Sequence, residues 1–368
     1  MPDHQQRLGE CACNPSGFDD MMSRVSPERS RAKDCAEASV GLPKVSVAMI
    51  TYNHEKFIGK AIDSVLAQEI EVKVELVIGE DCSVDTTRSI VETYAARFPG
   101  VFRLVTSNEN VGVMKNFVRT IEACRGDYIA FLEGDDYWTS EDKLRLQTAF
   151  LDEHPDCALC HHRVSYLNDA TGEIVSEFPL PQQRMERTTG SELVNGNFIQ
   201  TCSLMIRRKA IPRLSTYFAK LKLGDWPICV LASQNGWIGY IDQNMGVYRL
   251  HPGSAWSAQN IDYRDAATRQ MVRAMALSLS REYRGPWVAW FLRNLHSDLS
   301  LKSRSGNIRS TAGTAAALLW YGIRLDTVRA PLLLYYATRL LAGAAKRRLL
   351  MLWHGFRHDG ASTATHPQ

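Results

Sequence analysis

The chain has 368 residues, with 43 Lys plus Arg against 40 Asp plus Glu and 45% apolar residues. That composition fits one enlarged α/β domain or two domains and argues against global disorder. A net charge of +3 argues against a nucleic-acid binder. The charge is uneven, because ten basic and only two acidic residues lie from Leu301 onward, which leaves the first 300 residues at −5. A basic tail of this kind is suited to an anionic surface such as a membrane.

The best uncharged run, Ser310 to Ile323, falls short of the roughly 18–20 apolar residues a membrane span requires. The N-terminus lacks a basic segment followed by an apolar core, so no signal peptide is expected. The expected location is therefore the cytoplasm, with the basic tail offering a peripheral contact to the cytoplasmic face of the membrane. The nine cysteines are odd in number and scattered, a pattern expected of reduced thiols.

Residues 1–42 show no sustained periodicity and are expected to be a poorly ordered extension. From Val45 a βα alternation begins. Apolar runs recur at Val45–Ile50, Val74–Ile78, Val101–Val105 and Tyr128–Leu132, spaced as strand–helix–strand units of a parallel sheet. Between them, Phe57 to Leu66, Ile90 to Phe98 and Phe117 to Ile121 carry helical spacing. Asp85 reads as the cap of the second of these helices. A fourth helix is expected from Ser140, with Glu141 and Asp142 in its first turn. Strands are expected at Cys157–Leu167, Phe198–Arg207 and Trp237–Tyr248, with a turn at Asn168–Gly172 and a short helix at Asp225–Asn235. The stretch 175–195 is expected to be irregular. From Asp262 onward the pattern is helical, so the expected division is an α/β domain over 43–260 and a helical, basic region over 261–368.

Four constellations could carry chemistry, and the first two fall where an open parallel sheet binds ligands, beyond the carboxyl ends of its strands. Glu80-Asp81-Cys82-Ser83-Val84-Asp85-Thr86 follows the second strand, and Asp81 is its better candidate for accepting hydrogen bonds from a base or ribose. Glu133-Gly134-Asp135-Asp136 follows the fourth strand. Three carboxylates in four residues repel one another unless a cation lies between them, and hard oxygen ligands suit Mg²⁺ or Mn²⁺. Asp225, in Gly224-Asp225-Trp226-Pro227, reads either as a helix cap or as a general base. Arg249 and His251 end a strand, where they read as phosphate or metal partners or as an ordinary strand end. No Walker A or G-x-G-x-x-G pattern occurs, which disfavours P-loop and dinucleotide-binding enzymes.

In order and spacing these segments resemble glycosyltransferase family 2. The residues that carry the resemblance are Thr51-Tyr52-Asn53-His54-Glu55, Glu80 to Thr87, Asn110-Val111-Gly112 with Asn116, Glu133 to Asp136, Gly224-Asp225-Trp226, and Arg249 to Gly253. The resemblance covers about residues 44–257. It implies a Rossmann-like GT-A nucleotide-sugar-binding domain with a mostly parallel central sheet, and inverting sugar transfer from a nucleotide-diphosphate sugar to a glycan or lipid-linked acceptor in cell-envelope polysaccharide or glycolipid synthesis.

By the same resemblance, Thr51, Tyr52, Glu55, Asp81, Asn110, Gly112, Asn116 and Asp135 bind the donor. Asp135, Asp136 and His251 hold the Mn²⁺ or Mg²⁺, and Asp225 is the catalytic base. Glu133, Arg249, Trp226 and Trp256 are further candidates. Glu133 stands where the family more often has Asp, so its side chain is one methylene longer. The alternative is a catalytically inactive nucleotide-sugar-binding or scaffold protein, against which the retained acidic residues and His251 count. Cys157-Ala158-Leu159-Cys160-His161 matches a haem-attachment pattern. Its two cysteines are expected on opposite faces of a strand, which disfavours haem and zinc alike.

Overall fold

A computed structural model describes residues 42–304, 308–325 and 330–359. The expectation for the N-terminal extension falls almost wholly outside these residues.

Strands β1 (Val45–Thr51), β2 (Val74–Glu80), β3 (Phe102–Val105) and β4 (Tyr128–Glu133) form the parallel half of one sheet, in the order β3-β2-β1-β4. The crossovers are helices α1 (Ile58–Leu66), α2 (Thr87–Arg97) and α3 (Val113–Ala123). Strands β5 (Tyr137–Trp138), β6 (Cys157–Asn168), β9 (Met205–Arg207) and β10 (Trp237–Leu250) continue it in the order β9-β6-β10-β5. Short β9 joins β4 and β6 antiparallel, whereas the long β6–β10 ladder is parallel. Helix α4 (Lys143–Glu153) precedes β6 and α5 (Asp225–Ala232) precedes β10. The chain ends in α6 (Ile261–Ser278), α7 (Gly285–Arg304), α8 (Ile308–Leu325) and α9 (Ala330–Asp359).

Alternation along β1 explains the layering. Val45, Val47 and Met49 enter one apolar cluster with Ile58, Ile62, Val91 and Leu144, and Ala48 enters the other with Phe117, Ile121 and Ile228. Both faces are therefore covered, which is why the strands read as continuous apolar runs. Met271, Met275, Trp287 and Phe291 of α6 and α7 belong to the same cluster as Phe117. The C-terminal helices are thus part of the core over the α3 face.

Several elements differ from the sequence-based expectation for local reasons. Residues Glu173–Phe178 form strand β7, an edge strand exposed along all but its last residue, whose backbone is satisfied on one side by the antiparallel ladder to β6. Only Met205–Arg207 of the segment expected as a strand from Phe198 is extended. A 3₁₀ turn at Thr201–Ser203, closed by Leu204 N–H to Thr201 O at 3.1 Å, precedes it. Helix α4 begins at Lys143, after Glu141 and Asp142. The register slip between Trp237↔Cys157 and Ile238↔Leu159 skips Ala158. Cys157 and Cys160 therefore reach the same apolar cluster, not opposite faces.

Candidate active site

The β1–β2 and β1–β4 registers pair Thr51 with Glu80 and Ile50 with Glu133, so three strand ends meet at one level. Two left-handed residues, Asn53 (φ 56°) and Cys82 (φ 58°), turn the chain just beyond β1 and β2. The two loops then lock together. Asn53 N–H donates to Ser83 Oγ at 3.0 Å and Val84 N–H to Asn53 Oδ1 at 2.9 Å. Glu55 Oε2 accepts from Thr86 N–H at 3.1 Å and Thr86 Oγ at 2.8 Å. Asp85, expected as the helix cap, accepts both Thr87 N–H and Glu55 N–H, so it also ties the loops. Thr86 itself occupies the N-cap position of α2. Tyr52 stands at the rim, 41% exposed.

Asp81 is buried, and its two oxygens accept Val111 N–H and Gly112 N–H, each at 2.9 Å. Gly112 N–H also reaches Asn110 Oδ1 at 3.0 Å. Asn116 lies beneath this loop. Its Nδ2 donates to Gly79 O at 2.7 Å, its Oδ1 accepts from Arg119 Nε at 2.9 Å, and it is 2% exposed. Nδ2 thus ties α3 to β2, while Oδ1 orients Arg119 on the same helix.

The acidic turn is built by close approach. Gly134 N–H donates to Ile50 O at 2.9 Å, and a Cβ on Gly134 would lie 2.7 Å from Thr51 Oγ1 and 3.0 Å from His54 Nδ1. Carboxylate oxygens of Glu133, Asp135 and Asp136 lie within 4.8 Å of one another. Asp135 Oδ2 faces His251 Nε2 at 3.0 Å and His54 Nε2 at 3.7 Å. Asp136 Oδ1 accepts Arg249 N–H at 2.8 Å, while its buried Oδ2 has no hydrogen-bond partner. Arg249 closes the turn through Nε to Asp135 O at 2.9 Å and Nη1 to Asp169 Oδ1 at 2.7 Å. Its guanidinium also packs over the Phe57 ring at 4.7 Å.

Burial and the charges of Asp135 and Asp225 push the Glu133 carboxyl up to about 8. Burial and the charges of Asp135 and Glu133 push Asp136 well above the usual carboxylate range. Burial opposes ionisation of Asp135 as well, but the His251 hydrogen bond and the two imidazoles hold it below its ordinary value. Crowded carboxylates with an orphaned buried oxygen and two adjoining imidazoles fit a divalent cation. Among the described residues no other three His, Cys, Asp or Glu side chains gather in this way.

Asp225 opens α5, with Pro227 tolerated in the first turn. Its Oδ2 accepts Asn197 Nδ2 at 2.8 Å, and burial raises its pKa. Its charge is felt at Glu133, so the candidate base and the acidic turn share one field. Both tryptophan candidates make packing contacts. Trp226 Nε1 donates to Leu193 O at 3.0 Å and its ring meets Trp287 edge-on, while Trp256 packs half-buried on the core. His54, Phe57, Asp169 and Asn197 join the site without having been singled out. His54 lies within the segment from Thr51 to Glu55 and Phe57 just beyond it, whereas Asp169 falls in the expected turn and Asn197 just before an expected strand, where no motif marks either.

A mixed α/β sheet with an acidic turn and an adjoining carboxylate at its strand ends has the layout in which open α/β sheets bind ligands. Residues 46–214 match the sequence model of glycosyl transferase family 2. Over those residues the chain is similar to family 2 glycosyltransferases, and its fold is GT-A-like. It is 38% identical over 220 residues to the protein Rv1520 of Mycobacterium tuberculosis, an alignment covering 60% of this chain and 62% of that one. Staphylococcus aureus TarS 1–349 in complex with UDP-GlcNAc superposes with a TM-score of 0.57 at 20% identity, covering 84% of this chain and 92% of that chain. The mannosyltransferase PcManGT of Pyrobaculum calidifontis, in complex with GDP-Man and Mn²⁺, gives 0.50 at 17% identity, covering 87% and 92%.

Proposed function

We propose that the chain is an inverting glycosyltransferase that moves a sugar from a nucleotide-diphosphate donor to an acceptor hydroxyl, with a divalent cation at the acidic turn. The observation that carries this reading is the gathering of Glu133, Asp135 and Asp136 within 4.8 Å at the strand ends, in the field of Asp225. The family-model match over residues 46–214 and the nucleotide-sugar ligands of the structural neighbours support it.

In this reading Thr51, Tyr52, Glu55, Asp81, Asn110 and Gly112 form the donor cleft, largely by fixing the loops that enclose it. Asp135, Asp136 and His251 hold the cation, with Glu133 adjoining and Arg249 bracing the turn. A cation held there would supply positive charge against the charge developing on the diphosphate leaving group. Asp225 takes the proton of the acceptor hydroxyl as that oxygen bonds to the anomeric carbon. The bond from that carbon to the diphosphate oxygen breaks as the new one forms, and the nucleoside diphosphate leaves with the electron pair. No protein nucleophile is required. A base whose pKa is raised by burial is better matched to neutral pH than an exposed aspartate.

The acceptor class we propose is a glycan or lipid-linked glycan of the cell envelope, met at an anionic membrane face by the basic C-terminal helices. Replacing Asp225 by Asn tests the core of the reading. Turnover of the best donor in a screen of UDP-, GDP- and dTDP-sugars with Mn²⁺ should fall by about 10²- to 10⁴-fold. Calorimetric donor affinity should stay within about twofold, because the substitution removes only the proton acceptor. Near wild-type turnover in the variant would remove Asp225 from the mechanism.

A further inference from the structure

We infer that Asn197 is the positioning residue for the Asp225 carboxylate. This rests on the proposed role of Asp225 as base. Asn197 follows Gly196, whose φ of 145° lies in a region side chains disfavour, and it sits in a connection with no regular structure. Its Oδ1 accepts Ile199 N–H at 3.1 Å and its Nδ2 donates to Asp225 Oδ2 at 2.8 Å. The opposite amide orientation would set carbonyl against carboxylate and NH₂ against N–H, so the backbone of Ile199 dictates which end of Asn197 meets the base.

A second tie holds the same two segments together, the 3.0 Å bond from Trp226 Nε1 to Leu193 O. The residue before Asn197 is closed onto that anchor by Gly196 N–H to Leu193 O at 3.3 Å. The base is therefore gripped by a loop that is itself fastened to the helix carrying the base. Rotation of a short carboxylate by a few tenths of a turn would remove its oxygen from reach of an acceptor hydroxyl, so a neutral donor bonded to one oxygen has a defined catalytic use.

The titratable groups sharing the field of Asp225 are Glu133 at the end of β4, Tyr166 on β6 and Cys229 one turn along α5. Burial raises the Asp225 pKa, and the backbone N–H groups of Trp226 and Asp225 together with the Asn197 side chain oppose it by favouring the ionised carboxylate.

The test compares Asn197→Ala with Asn197→Asp in the full chain, by nucleotide release from UDP-GlcNAc, GDP-mannose and dTDP-glucose with Mn²⁺ and by ¹³Cγ-aspartate titration. Asn197→Ala should lower kcat about ten- to a hundredfold, the range for one hydrogen bond to a charged group, with donor KM within about twofold. The acid limb of its kcat–pH profile should move to higher pH. Asn197→Asp keeps the shape and an acceptor for Ile199 N–H but opposes carboxylate to carboxylate, so it should be the slower variant and shift the limb further.

A purely structural role gives the reverse order, with the near-isosteric Asp milder than Ala and the limb unmoved. That result overturns the proposal, as does an Asp225 resonance that titrates identically in all three proteins. The resonance is assigned by its loss in Asp225→Asn. If Asp225→Asn itself retains nucleotide release, the base reading fails and its positioning with it. If that variant is inactive while both Asn197 variants match wild type, only the positioning fails.

Discussion

Glu133 and Asp136 are the residues at which folding and chemistry conflict most directly. Each has a carboxyl pKa raised by burial and by its acidic neighbours, Glu133 to about 8. Between the ordinary carboxylate range and that value, the unfolded chain releases the proton and the folded chain keeps it. Stability without a cation therefore falls as pH rises across the interval. Asp135 runs the other way: its pKa is lowered, so its contribution is present above the ordinary range and lost as pH falls through the folded value. A divalent cation takes the place of the retained protons. Thermal melts should accordingly show an Mn²⁺-induced rise in Tm that grows from about pH 5 to about pH 8. A rise of equal size at both ends would count against cation binding at this turn. The conflict was legible from sequence as three clustered carboxylates. The roles of His54 and Asp169 were not, because each reaches the turn from a distant part of the chain.

At the scale of elements, the cleft depends on how closely α3 lies on β2. A Cβ at Gly79 would stand 1.9 Å from Thr120 Oγ1 and 2.7 Å from Asn116 Oδ1, so only glycine admits the helix at this distance. The same approach lets Asn116 Nδ2 reach Gly79 O and sets the start of α3, where Gly112 N–H meets Asp81. Gly79→Ala should cost about 1–3 kcal/mol by overpacking, read as a lower midpoint in urea. It should also weaken nucleotide-sugar binding in calorimetry, since the Asn110–Gly112 loop moves with the helix. Full stability in the variant would show that α3 can shift without loss. The helix and both strands were legible by periodicity. Their separation was not, because a glycine inside an apolar strand carries no sign of what lies above it.

Across the whole molecule, the near-neutral net charge divides into an acidic body and a basic end. No helix among the described residues is long and apolar enough to cross a membrane. On α9, Lys346 and Arg348 are exposed beside Leu349 at 67% and Leu350 at 46%, a mixture suited to an interfacial helix. Reversing both charges, Lys346→Glu with Arg348→Glu, should abolish co-sedimentation with phosphatidylglycerol-rich vesicles while leaving donor binding intact. Unchanged sedimentation would remove the membrane from the proposal. The sequence by itself determined the βα order, the strand ends where ligands gather and the carboxylates Asp81, Asp135, Asp136 and Asp225, because periodicity and short motifs are local properties. It also carried the basic end. Only the tertiary structure decided that Asn116 ties α3 to β2, that Cys157 and Cys160 share a face, and that Asn197 grips Asp225. Those outcomes depend on a strand bulge, a helix–strand distance and a loop path, each fixed by contacts between residues far apart in the chain.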